Sequence, residues 1–364
     1  MKIKEIIETI EEFAPISLQE GYDNCGLIIG NSETEVNGVL LALDCTEEVL
    51  EEAILKKINL VITHHPIVFA GLKKINGNNY IERVVIKAIK NNIAIYAAHT
   101  NTDNVLNGVN GLIAQKLGLN VEGVLEPQKN VLGKLVTFCP LEHAEKVRNA
   151  LFNVGAGSIG NYNECSFNTE GIGTFKGNEF TTPFVGKPQE RHHEQETRIE
   201  TIFPQFLQEK IVAALLNSHP YEEVAYDIFK MENTHPFIGS GLIGRLDNEE
   251  SEREFLEALK LKMNVNVIRY TALRNKPVKR VAICGGSGSF LLTKAIKARA
   301  DVFISADFKY HQFFDAEGKI VIADIGHFES EQFTPEIFYK ILIEKFPKFA
   351  VHLSTVNTNP INYL

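Results

Sequence analysis

The chain has little of what would mark it for several common roles. Its five cysteines (Cys25, Cys45, Cys139, Cys165 and Cys284) are scattered, odd in number and never in a Cys-x-x-Cys pair. That argues against a disulfide framework and a thiolate zinc site, and fits a reducing cytosol. Net charge is -9 and no Lys/Arg cluster stands out. A nucleic-acid grip needs concentrated positive charge, so no strong nucleic-acid partner is expected. No apolar run approaches the ~20 residues of a membrane span. The opening Met1-Lys2-Ile3-Lys4-Glu5, with acids through Glu12, lacks the uninterrupted apolar core of a signal peptide. No P-loop is present, and no serine or cysteine has a recognisable base partner for covalent catalysis. The expectation is a cytoplasmic protein without a membrane partner. Its 364 residues allow two or three domains at ~150 residues each.

What is present is organised around Asn59-Leu60-Val61-Ile62-Thr63-His64-His65-Pro66. Residues 60–63 are apolar or β-branched and read as a short buried strand, which Pro66 ends by removing a backbone donor. The carboxyl end of a strand is where ligands sit in an α/β sheet. Two imidazoles delivered there suit metal ligation. The other reading is a strand-end pair that only hydrogen-bonds its neighbours. Ile3, Ile6, Ile7, Ile10 and Phe13 have helical spacing up to Pro15, and 39–43 is a strand. Thr46 caps a helix through Lys57, so 39–63 is a β-α-β unit with a right-handed crossover. A helix at 81–91 leads to a strand at 93–98, followed by His99-Thr100-Asn101-Thr102-Asp103 and a helix through Leu117. Asp103 is either a carboxylate ligand at the same sheet edge or that helix's N-cap. Asp23 and Asn24 read as turn residues.

The pattern changes from about Leu132. A strand (132–138), a helix (143–152), two strands (165–175 and 197–203), a helix (205–216) and a strand (224–230) follow. This β-α-β-β-α-β order is that of a ferredoxin-like domain. His192-His193 reads as solvated loop. After Pro236 the α/β pattern resumes, with strands at 278–283, 302–305 and 319–325 and a helix at 335–345. The glycine-rich stretches 155–160 and 285–289 could each bind a phosphate through backbone N–H groups, or be tight turns.

The outer segments echo one another. Asn59-Leu60-Val61-Ile62-Thr63-His64-His65 parallels Asp301-Val302-Phe303-Ile304-Ser305-Ala306-Asp307, and His99-x-x-x-Asp103 parallels His327-x-x-x-Glu331. A histidine and a carboxylate four residues apart share one helix face. The expected architecture is α/β: two related α/β lobes (1–126 and 235–364) forming a metal-binding cleft, with an inserted ferredoxin-like (α+β) domain (127–234). Facing lobes would gather His64, His65, Asp103, His327 and Glu331. Imidazoles and carboxylates suit Zn, Mn, Fe, Co or Ni, and five such side chains suffice for two divalent ions.

These residues, with Asp23-Asn24-Cys25-Gly26-Leu27, Thr63-His64-His65-Pro66, Tyr310-His311 and Gly326-His327-Phe328-Glu329-Ser330-Glu331, resemble the Nif-three-like family, often named GTP cyclohydrolase type 2 homologues. Cys25 departs from it, since Val or a similar residue is commoner there. The resemblance implies a dinuclear metal site on the same five residues. It also implies a PII- or CutA-like insert and a ring-shaped homohexamer. The expected function is a metal-dependent hydrolase acting on a nucleotide or other phosphorylated small molecule, with His99 and His311 as candidates for proton transfer. The rival is a non-catalytic metal-binding, regulatory assembly whose insert senses a ligand.

Overall fold

Isoleucine spacing at the N-terminus produces the helix Ile3–Phe13, which buries Ile3, Ile6, Ile7 and Ile10 against Val39, Leu41, Leu60, Ile62 and Tyr96. The computed structural model describes residues 1–364 and divides into two units, Met1–Pro127 with Phe237–Leu364, and Gln128–Pro236. The first unit holds two sheets. One runs in the order Gly26–Ile29, Ala94–Ala97, Leu60–Thr63, Val39–Ala42, Val351–Leu353. Its three central strands are parallel and every residue in them is buried. Unbroken apolar runs are what parallel strands need when helices cover both faces. Helices Glu47–Leu55 and Tyr80–Lys90 supply one cover, and Ile3–Phe13 with Thr334–Lys345 the other. The Thr46 hydroxyl caps Glu47–Leu55 by accepting from the Val49 amide at 3.3 Å.

The second sheet runs Arg269–Tyr270, Val321–Asp324, Val302–Ala306, Pro277–Ser287, Gly239–Ser251, Asn120–Pro127. It repeats the parallel trio, here formed by the strands starting at Val321, Val302 and Pro277. The strand Gly239–Ser251 carries no readable pattern. Gly239, Gly241 and Gly244 dilute its apolar positions and 247–250 is polar, yet it pairs antiparallel with both neighbours. The single helix expected through Leu117 is two pieces, Thr100–Asp103 and Val109–Leu117. Gly108 takes the second helix's N-cap position, where a Cβ would overlap the Thr102 carbonyl. The N-cap alternative for Asp103 is thus corrected: it closes a one-turn helix and leaves its carboxylate for another use. No helix is long and apolar enough to cross a membrane.

The second unit is a four-stranded antiparallel sheet in the order Phe167–Phe175, His192–Pro204, Leu132–Pro140, Tyr226–Met231. Helices Ala144–Asn153 and Gln208–Ser218 pack on it through Val147, Leu151, Ile211 and Leu215. His192 and His193 are not solvated loop: they open the strand His192–Pro204 and pair with Phe175 and Thr174. Their polar run hides the strand because its partner face is itself exposed. In the 155–160 loop the Gly155 and Gly157 amides donate to the Phe152 and Ile202 carbonyls, so the phosphate reading fails there.

Candidate metal centre

His64 follows directly on the strand Leu60–Thr63, and both the His64 and His65 amides donate to the Leu43 carbonyl. That shared acceptor fixes the backbone of both histidines beside the neighbouring strand's end. His64 is fully buried, and its Nδ1 sits 2.9 Å from the Ala98 carbonyl. A carbonyl only accepts, so Nδ1 carries the proton and Nε2 presents a lone pair. His65 Nδ1 lies 2.7 Å from Asp44 Oδ1, and His327 Nδ1 lies 2.7 Å from Asp307 Oδ2. All three imidazoles therefore turn Nε2 the same way, each held from behind.

The Nε2 atoms converge on Glu331. His65 Nε2 is 2.9 Å and His327 Nε2 3.2 Å from Glu331 Oε2, while His64 Nε2 is 3.8 Å from Oε1. Asp103 Oδ1 lies 3.7 Å from His64 Nε2. His64 Nε2 and Asp103 Oδ1 are both buried without any hydrogen-bond partner. Leaving such atoms unpaired costs on the order of 1–3 kcal/mol each, which a cation between them would remove. Three overlapping groups keep their ligand atoms within 4.8 Å of one another: His64, His65 and His99; His65, His327 and Glu331; His64, Asp103 and Glu331. The donor set fits divalent metal.

Glu331 owes its place to glycine. Gly286 has φ +61°, and a Cβ there would overlap Glu331 Oε1. The Gly285, Gly286 and Gly288 amides donate to Asn110 Oδ1, Ser330 Oγ and Ser305 Oγ. The 285–289 stretch therefore has these donors occupied and serves as a cradle for the carboxylate, not for a phosphate.

Burial pushes the His64 imidazole down to about 4. Burial would also lower His65 and His327, but hydrogen bonds to Asp44 or Asp307 and to Glu331 outweigh it, raising them to about 9 and about 11. Glu331 is held well below the carboxylate range because the three histidines overcome its burial. Asp103 is pushed well above that range, by burial and then by the Glu331 charge. Burial thus favours a neutral His64, while the carboxylates favour positive charge on His65 and His327.

His99 adjoins this group, its ring centroid 5.1 Å from that of His64 and 5.3 Å from that of His65. Its Nδ1 is 2.8 Å from Asp23 Oδ1. Asp23 is therefore more than a turn residue: its fully buried carboxylate also accepts from the Thr100 amide at 3.0 Å. Burial would raise its pKa, yet the bonds from His99 and Thr100 hold it low. Cys25 Sγ lies 3.2 Å from Asp23 Oδ2, and burial pushes the thiol up to about 12. His311 is exposed on the 3-10 turn Tyr310–Ala316, where it packs on Tyr310 and Phe314 and bonds to none of the cluster. The anchors Asp44 and Asp307 gave no local signal beyond following a strand. Thr358 hydrogen-bonds Asp44 at 2.6 Å, tying the C-terminal segment to the site.

A sequence model of the Duf34/NIF3 family (NGG1p interacting factor 3) matches residues 1–360. A Bacillus subtilis protein called GTP cyclohydrolase 1 type 2 homolog is 38% identical over 99% of this chain and 98% of its own. A Staphylococcus epidermidis protein of the same name is 35% identical over all of both chains. Among solved structures, a Bacillus cereus protein related to NIF3 superposes with a TM-score of 0.87 at 38% identity, covering 100% of this chain and 99% of that one. The chain belongs to the Duf34/NIF3 family.

Proposed function

We propose that the chain is a dinuclear metal-dependent hydrolase acting on a nucleotide or other phosphorylated small molecule. His64, His65, Asp103, His327 and Glu331 would hold two divalent ions drawn from Zn, Mn, Fe, Co or Ni. The observation that carries this is the convergence of five donors with two buried, unpartnered atoms, His64 Nε2 and Asp103 Oδ1. Divalent ions bound there supply Lewis-acid polarisation of a phosphoryl oxygen and make water acidic near neutral pH. His99, fixed by Asp23 with Nε2 left over, is placed to take or return a proton at that atom. His311 is exposed, packs on Tyr310 and Phe314 and has no bond to the cluster, so proton transfer falls to His99.

Beside the cluster, the Phe69 ring meets His99 edge to face at 6.3 Å, and Tyr22 meets Phe69 at 6.2 Å. Both aromatics are half or more exposed, and burial with the Glu20, Asp23 and Asp103 carboxylates pushes the Tyr22 phenol up. An exposed aromatic pair at a metal cluster favours a substrate with a flat ring, such as a nucleobase. The unit Gln128–Pro236, with its β-α-β-β-α-β order, supports reading 127–234 as a ferredoxin-like insert between lobes 1–126 and 235–364. A cytoplasmic homohexamer completes the proposal.

The test is a metal-stripped sample screened against phosphoesters and nucleotides. Hydrolysis should be absent after chelation, return with Mn, Co or Zn, and be lost in His64→Ala. Activity that survives complete chelation would falsify the proposal. No turnover at full metal occupancy would favour the regulatory rival.

A further inference from the structure

The unit Gln128–Pro236 contains a cavity of about 590 Å³, within the size range of small-molecule sites. It lies between the exposed face of the strand Phe167–Phe175, the chain following it, and the turn before Tyr226–Met231. Its floor holds one buried carboxylate, Glu196, only 8% exposed. Glu196 Oε1 accepts from the Tyr221 hydroxyl at 2.8 Å, and Oε2 accepts no hydrogen bond from the protein. Room for that carboxylate depends on Gly173, where a Cβ would overlap Oε2.

Aromatic rings surround it. Phe175 and Phe184 stand 5.9 and 6.4 Å from the Tyr221 ring, and Phe138 adds a further apolar wall. Charge in the lining is negative in excess, with Glu170, Glu222 and Glu223 joining Glu196 against Lys176 and Arg198. Arg198 is already committed to Glu200 at 2.9 Å. Glu222 accepts from the Thr182 amide at 2.9 Å, which pins the chain segment bordering the cavity.

A carboxylate with one free oxygen, ringed by π-faces in a negative cavity, disfavours anions. It rewards a cation that places its charge against both carboxylate and rings. We propose that this cavity binds a small organic cation, a primary ammonium or guanidinium on an apolar or aromatic body, with Glu196 as its charge partner and Phe175, Phe184 and Tyr221 as its walls.

The experiment titrates the full chain by calorimetry with tyramine, phenethylamine and agmatine, and with tyrosol, the uncharged alcohol matched to tyramine. At least one amine should bind saturably, and more tightly than tyrosol binds. Glu196→Gln should weaken the amine roughly tenfold or more, since a charge-assisted bond is lost from a desolvated site. Tyr221→Phe, which keeps the ring and removes only the hydroxyl, should weaken it less. A retained thermal midpoint and circular dichroism spectrum certify each variant. If Glu196→Gln does not fold, Tyr221→Phe and the tyramine–tyrosol contrast decide. The proposal is overturned by no saturable amine binding, by tyrosol binding as well as tyramine, or by equal binding in wild type and folded Glu196→Gln.

Discussion

Gly286→Ala isolates what a single carbon does to the proposed metal centre. Gly286 sits at φ +61°, so any L-residue there carries the left-handed backbone penalty of roughly 1–2 kcal/mol. The added Cβ also overlaps Glu331 Oε1, and that carboxylate has nowhere equivalent to go. Glu331 is 3% exposed, takes bonds from His65 and His327, and stands on the short helix His327–Glu331. Displacing it removes the group on which His64, His65 and His327 converge. Loss of a supporting contact at a metal site costs about 10–100-fold in affinity. Gly318→Ala is the matched control: φ is +65° and nothing lies within 4 Å of its Cβ. Both variants should lose stability in thermal unfolding of the metal-free protein, Gly286→Ala at least as much as Gly318→Ala, because only it also disturbs Glu331. Only Gly286→Ala should lose metal, read by elemental analysis and by the chelator concentration needed to strip it. Equal metal content and chelator resistance in the two variants would refute the idea that Gly286 cradles a ligand.

Glu331→Gln and Asp103→Asn keep side-chain shape while removing negative charge, so each should bind at least one ion fewer per chain with the fold retained. Unchanged metal in both, by elemental analysis, would mean the wrong cleft. Metal-free His65 and His327, raised to about 9 and about 11, are protonated at pH 7. They stabilise the metal-free fold below about pH 6.5, a contribution lost as pH rises through their folded values. Metal requires them neutral, so loading at pH 7 should release at least two protons per chain, and affinity should rise with pH. A pH-stat titration counts the protons, and none released would sink the assignment. The chain has no tryptophan, so Phe69→Trp makes a sole indole. Its fluorescence should be quenched by nucleoside monophosphates and not by ribose 5-phosphate if the rim stacks a flat ring.

The parts of the fold that can be read in the sequence are those whose burial is uniform along the chain. Residues 60–63 and 39–42 are buried on both faces, and a continuous apolar run is the direct record of that. The first helix shows its period because one face alone is buried. Gly239–Ser251 and the first residues of His192–Pro204 leave no such record. They are paired in their sheets, but many of their side chains face water. The break at Gly108 depends on a close approach to the Thr102 carbonyl, a packing fact no local preference encodes.

In the site, residues past strand ends are conspicuous and their anchors are not. His65 and Asp44 are 21 residues apart, and His327 and Asp307 are 20 apart. In each case the histidine follows one parallel strand and the aspartate follows its neighbour. Each spacing is one strand-to-strand crossover, so both anchor–histidine pairs are built in the same way. The two pairs are nonetheless one strand out of step with the sequence repeat. The alignment of 59–65 with 301–307 sets His65 opposite Asp307, and the one faces Glu331 directly while the other holds His327 from behind. The same alignment sets His99 opposite His327. Yet only His327 bonds Glu331, and His99 is turned toward Asp23. Two copies of one strand-end pattern have thus been fitted to different tasks around a single carboxylate. Repeat symmetry alone would rank His99 with His327; the Nε2 distances to Glu331 rank His65 there instead.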